Sequence, residues 1–277
     1  MASKICNGLL ETHLKASRAK TQSSTSHAVP GLRILDACSG SGCISLLLYK
    51  LLSKHLKSFG GLEIDGLDIS PEALRLSRKN KEHNIAQKHL IPEALDKVHF
   101  LHSNLLLRQQ TKSLKPYDII ISNPPYISRE EFDTKLPSSV RDWEPGLALV
   151  PSFAPGADEH FSGNPADIFY EVLLEIYQTG IHKPLMLVME IGDEAQARRV
   201  LALGMTRYQI MKDNDVSVWR DWPDVRPSGK ELLVMEGRVS TEGQGNLRTI
   251  VLTRKISEHG DLEHRPIVAQ HKGSNQY

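Results

Sequence analysis

Residues 33–56 hold a pattern that few folds accommodate. Arg33-Ile34-Leu35-Asp36-Ala37 reads as a buried strand, and it opens directly onto Cys38-Ser39-Gly40-Ser41-Gly42. From Cys43 to Leu56 the apolar residues Ile44, Leu47, Leu48, Leu51 and Leu52 recur at helical spacing. The order is strand, Gly-rich turn, helix. Glycines let a ligand approach the backbone, and a helix N-terminus offers free N–H groups. A dinucleotide-binding loop wants a third Gly near position 45 for close helix–strand packing. Ser45 stands there, so the nicotinamide fingerprint is incomplete. Asp36, just before the loop, instead suits a ligand with an ammonium group. A plain structural turn is the alternative reading of these glycines.

The same alternation continues. Leu62 to Leu67 reads as strand two and ends at Asp68. Ser70-Pro71-Glu72 then starts a helix running to about His83, with Ser at the N-cap and Pro at the first helical position. An acid at the end of strand two is where ribose hydroxyls are held in nucleoside-binding α/β folds. Asp68 fits that place better than Glu63 or Asp65, which lie inside the strand. Val98-His99-Phe100-Leu101 reads as strand three, and the polar Asn104 after it is placed to face an adenine ring.

Strand four, Tyr117-Asp118-Ile119-Ile120-Ile121, ends in Ser122-Asn123-Pro124-Pro125-Tyr126. Proline has no N–H to donate, so the ladder stops there. A polar Asn, two rigid residues and an aromatic are thereby held at the carboxyl end of a central strand. The Asn123 side-chain carbonyl and the Pro124 backbone carbonyl both accept hydrogen bonds. Two fixed acceptors suit a planar –NH2 group, and Tyr126 can stack on it. The substrate group read from these residues is an amide or an exocyclic base amine. A strand-ending turn with a capping Asn is the alternative.

Beyond this point Arg129-Glu130-Glu131 to Pro137 reads as a charged loop, and residues 151–165 are too rich in Pro and Gly for regular structure. Asn164-Pro165 starts a helix, Pro184 to Ile191 is a strand, and Asp193 to Leu203 is a helix closed by Gly204. Val216 to Trp219 is a short strand, Glu231 to Val239 a hairpin, and Ile250-Val251-Leu252 the last strand. Strands alternating with helices predict a doubly wound α/β sheet with a mainly parallel core and one antiparallel strand.

Composition narrows the function. A chain of 277 residues builds one large α/β domain or at most two small ones. A formal net charge of +1 gives no electrostatic footprint for a nucleic-acid backbone. Cys6, Cys38 and Cys43 have no metal spacing and fit a reduced compartment, and no apolar run reaches the length of a membrane span. His259, His264 and His271 are irregularly spaced and lack carboxylate partners, so no metal is expected. The first thirty residues are Ser-rich, with Lys4, Lys15, Arg18 and Lys20 against a single acid, Glu11. That composition matches a mitochondrial presequence or a flexible tail in a cytoplasmic protein.

Together these motifs resemble the class I S-adenosylmethionine-dependent methyltransferases, and within them the HemK/PrmC family of release-factor glutamine methyltransferases. The residues that carry the resemblance are Ile34 to Gly42, Leu67 to Leu74, Ile121 to Ile127, Glu144-Pro145 with Ala148-Leu149, and Glu190-Ile191-Gly192. Asn-Pro-Pro-Tyr alone is shared with adenine and cytosine amino-methyltransferases; the Glu-Pro segment is more particular to this family. The Cys-Ser-Gly-Ser-Gly-Cys loop looks like the fungal mitochondrial branch. The family carries a helical docking domain and a Pro-Arg-x-x-Thr-Glu segment ahead of this region, and neither is found in residues 1–31. An acidic residue usual after strand three is Asn104 here.

The resemblance implies a Rossmann-like sheet of about seven strands with helices on both faces, spanning residues 32–256. Residues 1–31 and 257–277 are expected to be flexible, with an insertion at about 223–247. It implies S-adenosylmethionine bound by Asp36, Cys38, Gly40, Gly42, Asp68, Ile69, Asn104 and Asn123. It implies an acceptor glutamine held by Asn123, Pro124, Pro125 and Tyr126, with Glu144 ordering the loop above. Asn123, Pro124 and Tyr126 are the expected catalytic set. The implied partner is a peptide-chain release factor bearing Gly-Gly-Gln, met by a monomer. A nucleic-acid amino-methyltransferase and an inactive, truncated paralogue stand as alternatives.

Overall fold

The computed structural model describes residues 31–58, 60–152, 163–180, 183–225 and 239–255. The strands are β1 Leu32–Ala37, β2 Leu62–Asp68, β3 Val98–His102, β4 Ile119–Ser122, β5 Met186–Glu190, β6 Asn214–Trp222, β7 Ser240–Glu242 and β8 Gln244–Arg254. The helices are α1 Cys43–Leu52, α2 Pro71–Ala86, α3 Ala94–Lys97, α4 Arg108–Lys112, α5 Arg129–Thr134, α6 Ser138–Arg141, α7 Gly146–Leu149, α8 Ile168–Thr179 and α9 Glu194–Arg207.

The strands form one sheet in the order β3-β2-β1-β4-β5-β8-β6-β7. β8 runs antiparallel to both neighbours, β5 and β6, and every other pairing is parallel. The single antiparallel strand is as expected. The eighth strand is not: β7 is a three-residue edge strand inside the segment read as an insertion. The last strand also begins at Gln244, before Ile250. Asp221 explains the early start. Its carboxylate accepts Asn246 N–H at 2.9 Å and Arg248 Nε at 2.6 Å, and so pins the head of β8 to β6. The expected hairpin lies largely outside the described residues, as do residues 1–30 and 256–277.

Central strands buried on both faces read as continuous apolar runs, and alternate residues serve opposite cores. In β4, Ile120 packs with Leu187, Tyr170 and Leu173 from β5 and α8, while Ile119 and Ile121 pack with Leu48, Tyr49 and Leu52 of α1. Helices therefore cover both faces. Two local readings are corrected. Residues 129–134 are helical because Ser128 and Glu131 form a reciprocal capping box. Gly204 does not close its helix but lies within it, where a Cβ would stand 2.6 Å from Ile210 Cδ1.

Phe100 locks the first two βα units together. A Cβ on Gly42 would lie 2.6 Å from Phe100 Cζ, and one on Gly66 2.7 Å from Phe100 Cδ1. Gly42 also has φ +79°, a conformation that L side chains rarely adopt. Gly42→Ala combines left-handed strain with overpacking of a buried ring, so it is expected to cost about 3 kcal/mol of stability. Chemical denaturation with an unchanged m value would measure it.

Candidate active site

Connections leave β1 and β4 toward opposite sides of the sheet, and ligands of open α/β sheets bind at such a switch point. Ala37 pairs with Ser122, and Ser122 Oγ donates to the Ala37 carbonyl at 2.7 Å. Cys38 and Asn123 are the next residues along each strand. The Gly-rich loop and the Asn-Pro-Pro-Tyr loop thus emerge side by side.

The Gly-rich loop is tied down on every side. Ser39 N–H donates to Leu67 O at 2.9 Å, and Asn80 Nδ2 on α2 donates to Ser41 O at 3.0 Å. Asp68 accepts Gly40 N–H on one carboxylate oxygen and Ser70 N–H on the other, each at 2.8 Å. Asp68 therefore joins the loop to the start of α2, with lone pairs left for a hydroxylated ligand. Ile69 beside it is half-buried. Gly40 has φ +52° and open space where its Cβ would be, so the loop offers bare backbone to a ligand at that point.

Asp36 takes a different place from the one expected. It is fully buried, so no ligand touches it directly in this conformation. Its Oδ2 accepts Ser45 N–H at 3.0 Å and Ser45 Oγ–H at 2.6 Å. This explains Ser45 where a dinucleotide loop would carry Gly: the hydroxyl holds the acid under the helix N-terminus. Burial pushes Asp36 up to about 7, against the pull of the two Ser45 bonds, and neighbouring Asp68 adds to the rise. Asp36 Oδ1 and Ser39 Oγ are buried without hydrogen-bond partners among the described residues. Orphaned oxygens under an open glycine loop fit a cationic, polar-headed cofactor above them. Cys38 adopts φ 61°, a left-handed backbone, and burial raises its thiol.

Asn104 is also committed locally. Its Oδ1 accepts Leu106 N–H at 3.0 Å, an Asx turn that fixes the side chain, with Nδ2 still available as a donor.

In the second loop Asn123 is exposed, whereas Pro124 and Pro125 are buried. The Asn123 amide makes no hydrogen bond among the described residues, and no backbone N–H of those residues ends on the Asn123 or Pro124 carbonyl. Tyr126 is less free than expected. Its ring packs on Gly192, whose added Cβ would lie 3.2 Å from Tyr126 Cδ2. Its hydroxyl donates to Glu190 Oε1 at 3.4 Å. Burial raises Glu190, while the Tyr126 bond and the Arg248 charge pull it down. Glu144 stands exposed after α6, and its carboxylate makes no hydrogen bond or ion pair with a described residue. A backbone bond ties the segment to the site, Ile127 N–H to Leu149 O at 2.9 Å.

Sequence reasoning missed Glu190 as a site residue, and Gln196, which binds the Tyr126 carbonyl. Among the described residues one possible metal-ligand group occurs, Glu63, Asp65 and His99. Lys115 Nζ already sits 3.1 Å from Glu63 and 3.0 Å from Asp65. No helix of the described residues is long and apolar enough to cross a membrane.

The chain is similar in sequence to known proteins over this region. A family model described as N-6 DNA Methylase matches residues 19–154. A release factor glutamine methyltransferase of Bacteroides thetaiotaomicron is 38% identical over 126 residues, covering 46% of this chain and 37% of that protein. A probable MRF1 mitochondrial N(5)-glutamine methyltransferase, mtq1, of Schizosaccharomyces pombe is 32% identical over 182 residues, covering 62% and 52%. A release factor glutamine methyltransferase of Chlorobaculum tepidum is 30% identical over 184 residues, covering 65% and 53%. The chain spans 37 to 53% of the length of these curated relatives. Sheet order and the two loops at the switch point are those of a doubly wound α/β domain, and over this region the chain is similar to the N-6 DNA Methylase family model and to release factor glutamine methyltransferases.

Proposed function

We propose that this protein methylates the side-chain amide nitrogen of a glutamine in the Gly-Gly-Gln motif of a peptide-chain release factor, acting as a monomer in mitochondria. The observation that carries the reading is the pair of acceptors with no hydrogen bond among the described residues, Asn123 Oδ1 and the Pro124 carbonyl, beside the open Gly40 loop. The names of the bacterial and fungal relatives support the substrate, and the fungal one supports the compartment.

The cofactor is S-adenosylmethionine, held by the loop at Cys38, Gly40 and Gly42, by Asp68 and Ile69, and by the buried charge of Asp36. When bound, it supplies a methyl group activated by its sulfonium charge. The protein's task is the acceptor, because an amide nitrogen delocalises its lone pair into the carbonyl. Asn123 Oδ1 and the Pro124 carbonyl each accept one amide hydrogen. They draw the nitrogen toward pyramidal geometry and fix where its lone pair points. They also stabilise positive charge as it develops on nitrogen. Pro125 keeps the turn rigid, Tyr126 forms a fixed wall beside the amide, and Glu144 orders the loop above. The alkylated nitrogen then sheds a proton to water.

Asp68→Ala removes the acceptor of two backbone N–H groups and the ribose contact. Cofactor affinity is expected to fall about tenfold or more, measured by isothermal titration. Unchanged affinity would remove Asp68 from the site.

The test of the function is transfer from labelled S-adenosylmethionine to a purified mitochondrial release factor, with mass spectrometry at its Gly-Gly-Gln. A methylated glutamine supports the reading. Cofactor binding without transfer sinks it. The N-6 DNA Methylase match carries the second reading, an exocyclic base amine at the same acceptors. Oligonucleotide acceptors in the same assay separate the two.

A further inference from the structure

We infer that Gln196 is the positioning residue that sets the acceptor loop before any substrate arrives. Gln196 opens the first turn of α9, is buried, and is held by its own backbone N–H to Asp193 Oδ1 at 2.7 Å. Its side chain uses both ends. Nε2 donates to the Tyr126 carbonyl at 3.1 Å and to Asp167 Oδ1 at 3.0 Å. Oε1 accepts Gly192 N–H at 2.9 Å. Tyr170 OH lies 3.3 Å from Oε1, with its single hydrogen directed to the nearer Glu190 carbonyl at 2.8 Å. The amide has one possible orientation, because Asp167 and the Tyr126 carbonyl can only accept and Gly192 N–H can only donate. Asp167 is itself clamped by Arg199, at 2.6 and 3.1 Å.

The consequence lies in one peptide group. The Tyr126–Ile127 peptide is held at its oxygen by Gln196 and at its N–H by the Leu149 carbonyl. A peptide pinned at both ends fixes the backbone on which Asn123 and the Pro124 carbonyl are carried. The ring of Tyr126 on Gly192 and its hydroxyl on Glu190 complete the fixation. Gln196 touches neither acceptor, so it acts through the loop.

The inference rests on the acceptor role proposed above, and two readouts separate them. The first is kinetic. In Gln196→Met the expected kcat on release factor falls about tenfold or more, with S-adenosylmethionine affinity within about twofold of wild type. Gln196→Glu, which keeps size and polarity but loses both donations, is expected to behave alike. Tyr177→Phe is the control for lost stability alone. It deletes a buried hydrogen bond to Asn214 Oδ1 in the core beneath β8. Its kcat is expected to stay at the wild-type value. The second readout needs no substrate. Amide exchange at Ile127 is expected to accelerate in Gln196→Met and not in Tyr177→Phe. Wild-type kcat in both Gln196 variants, or a loss no larger than that of Tyr177→Phe, overturns the inference. If the wild type transfers nothing, the functional reading fails, and the Ile127 exchange alone decides the positioning role, unchanged exchange overturning it.

Discussion

Asn123→Ala is expected to lower methyl transfer by about 100- to 1,000-fold, the range typical for removing one preorganised polar group at a reacting centre. The effect should fall on kcat, because the interaction strengthens as positive charge builds on the nitrogen and is weak in the ground state. Two other quantities should barely move. Asn123 is exposed and its amide makes no hydrogen bond among the described residues, so truncating it removes nothing that holds the fold. The thermal midpoint should stay within about a degree or two of wild type. Cofactor affinity should also persist, since the Gly40 loop and Asp68 are intact. Single-turnover transfer, calorimetric binding and a thermal melt on the same preparation test all three. Retention of most activity would refute the acceptor mechanism, and a parallel loss of cofactor binding would move Asn123 to the cofactor.

The placement of the two loops was legible in the sequence because it depends on local chemistry. A strand, a turn of small residues and a helix put Gly40 beyond the carboxyl end of a strand whatever the rest of the chain does. Two prolines after Ile119–Ser122 end that strand with equal certainty. What escaped was long-range partnership. Asp36 reads as a ligand contact, yet its partner Ser45 lies in the first turn of α1, and only the folded loop shows the acid closed off beneath it. The sequence reading of Asn104 as facing adenine does not include the Asx turn by which its oxygen holds Leu106, two residues later. Tyr126 reads as a ring that can stack on the planar group, and the sequence does not show that Gly192 and Glu190, more than sixty residues away, fix its position.

Gln196 is the instructive miss. Asp193-Glu194-Ala195-Gln196 has the spacing of a capping box, and the Asp193 side chain does cap Gln196 N–H. In a true box the Gln would return the bond to the Asp193 N–H. Here Oε1 instead accepts the N–H of Gly192, one residue further, while Nε2 donates to Tyr126 and Asp167. The spacing marked a helix start; the recipient of the second bond was not in it. The same signature at Ser128-x-x-Glu131 does close reciprocally, and there a charged stretch read as loop is a helix.

Asp36→Asn is expected to abolish a component of stability that the wild-type domain loses as pH rises. The Asp36 carboxyl is raised from 3.8 to about 7, about three units, chiefly by burial. A group whose folded-state value is raised favours the protonated form in the folded protein. Its contribution is therefore complete below about pH 4, declines as pH climbs through about 7, and is gone above it. Three units correspond to about 4 kcal/mol at most. Other carboxylates act in the opposite sense: Arg248 holds Asp221 low, and Lys135 holds Glu131 low, so their stabilisation is lost on acidification. The difference between wild type and Asp36→Asn, followed by denaturant unfolding from pH 5 to 8, isolates the buried acid. Cofactor binding should run the other way. A cation placed over the loop favours the charged carboxylate, so wild-type affinity is expected to increase as pH rises through about 7. Binding near that pH should release a proton, visible as a dependence of the calorimetric heat on buffer ionisation enthalpy. Asp36→Asn should show neither trend. A wild-type affinity that is flat from pH 6 to 8, with no proton released, would mean that Asp36 serves only to anchor Ser45 and the start of α1.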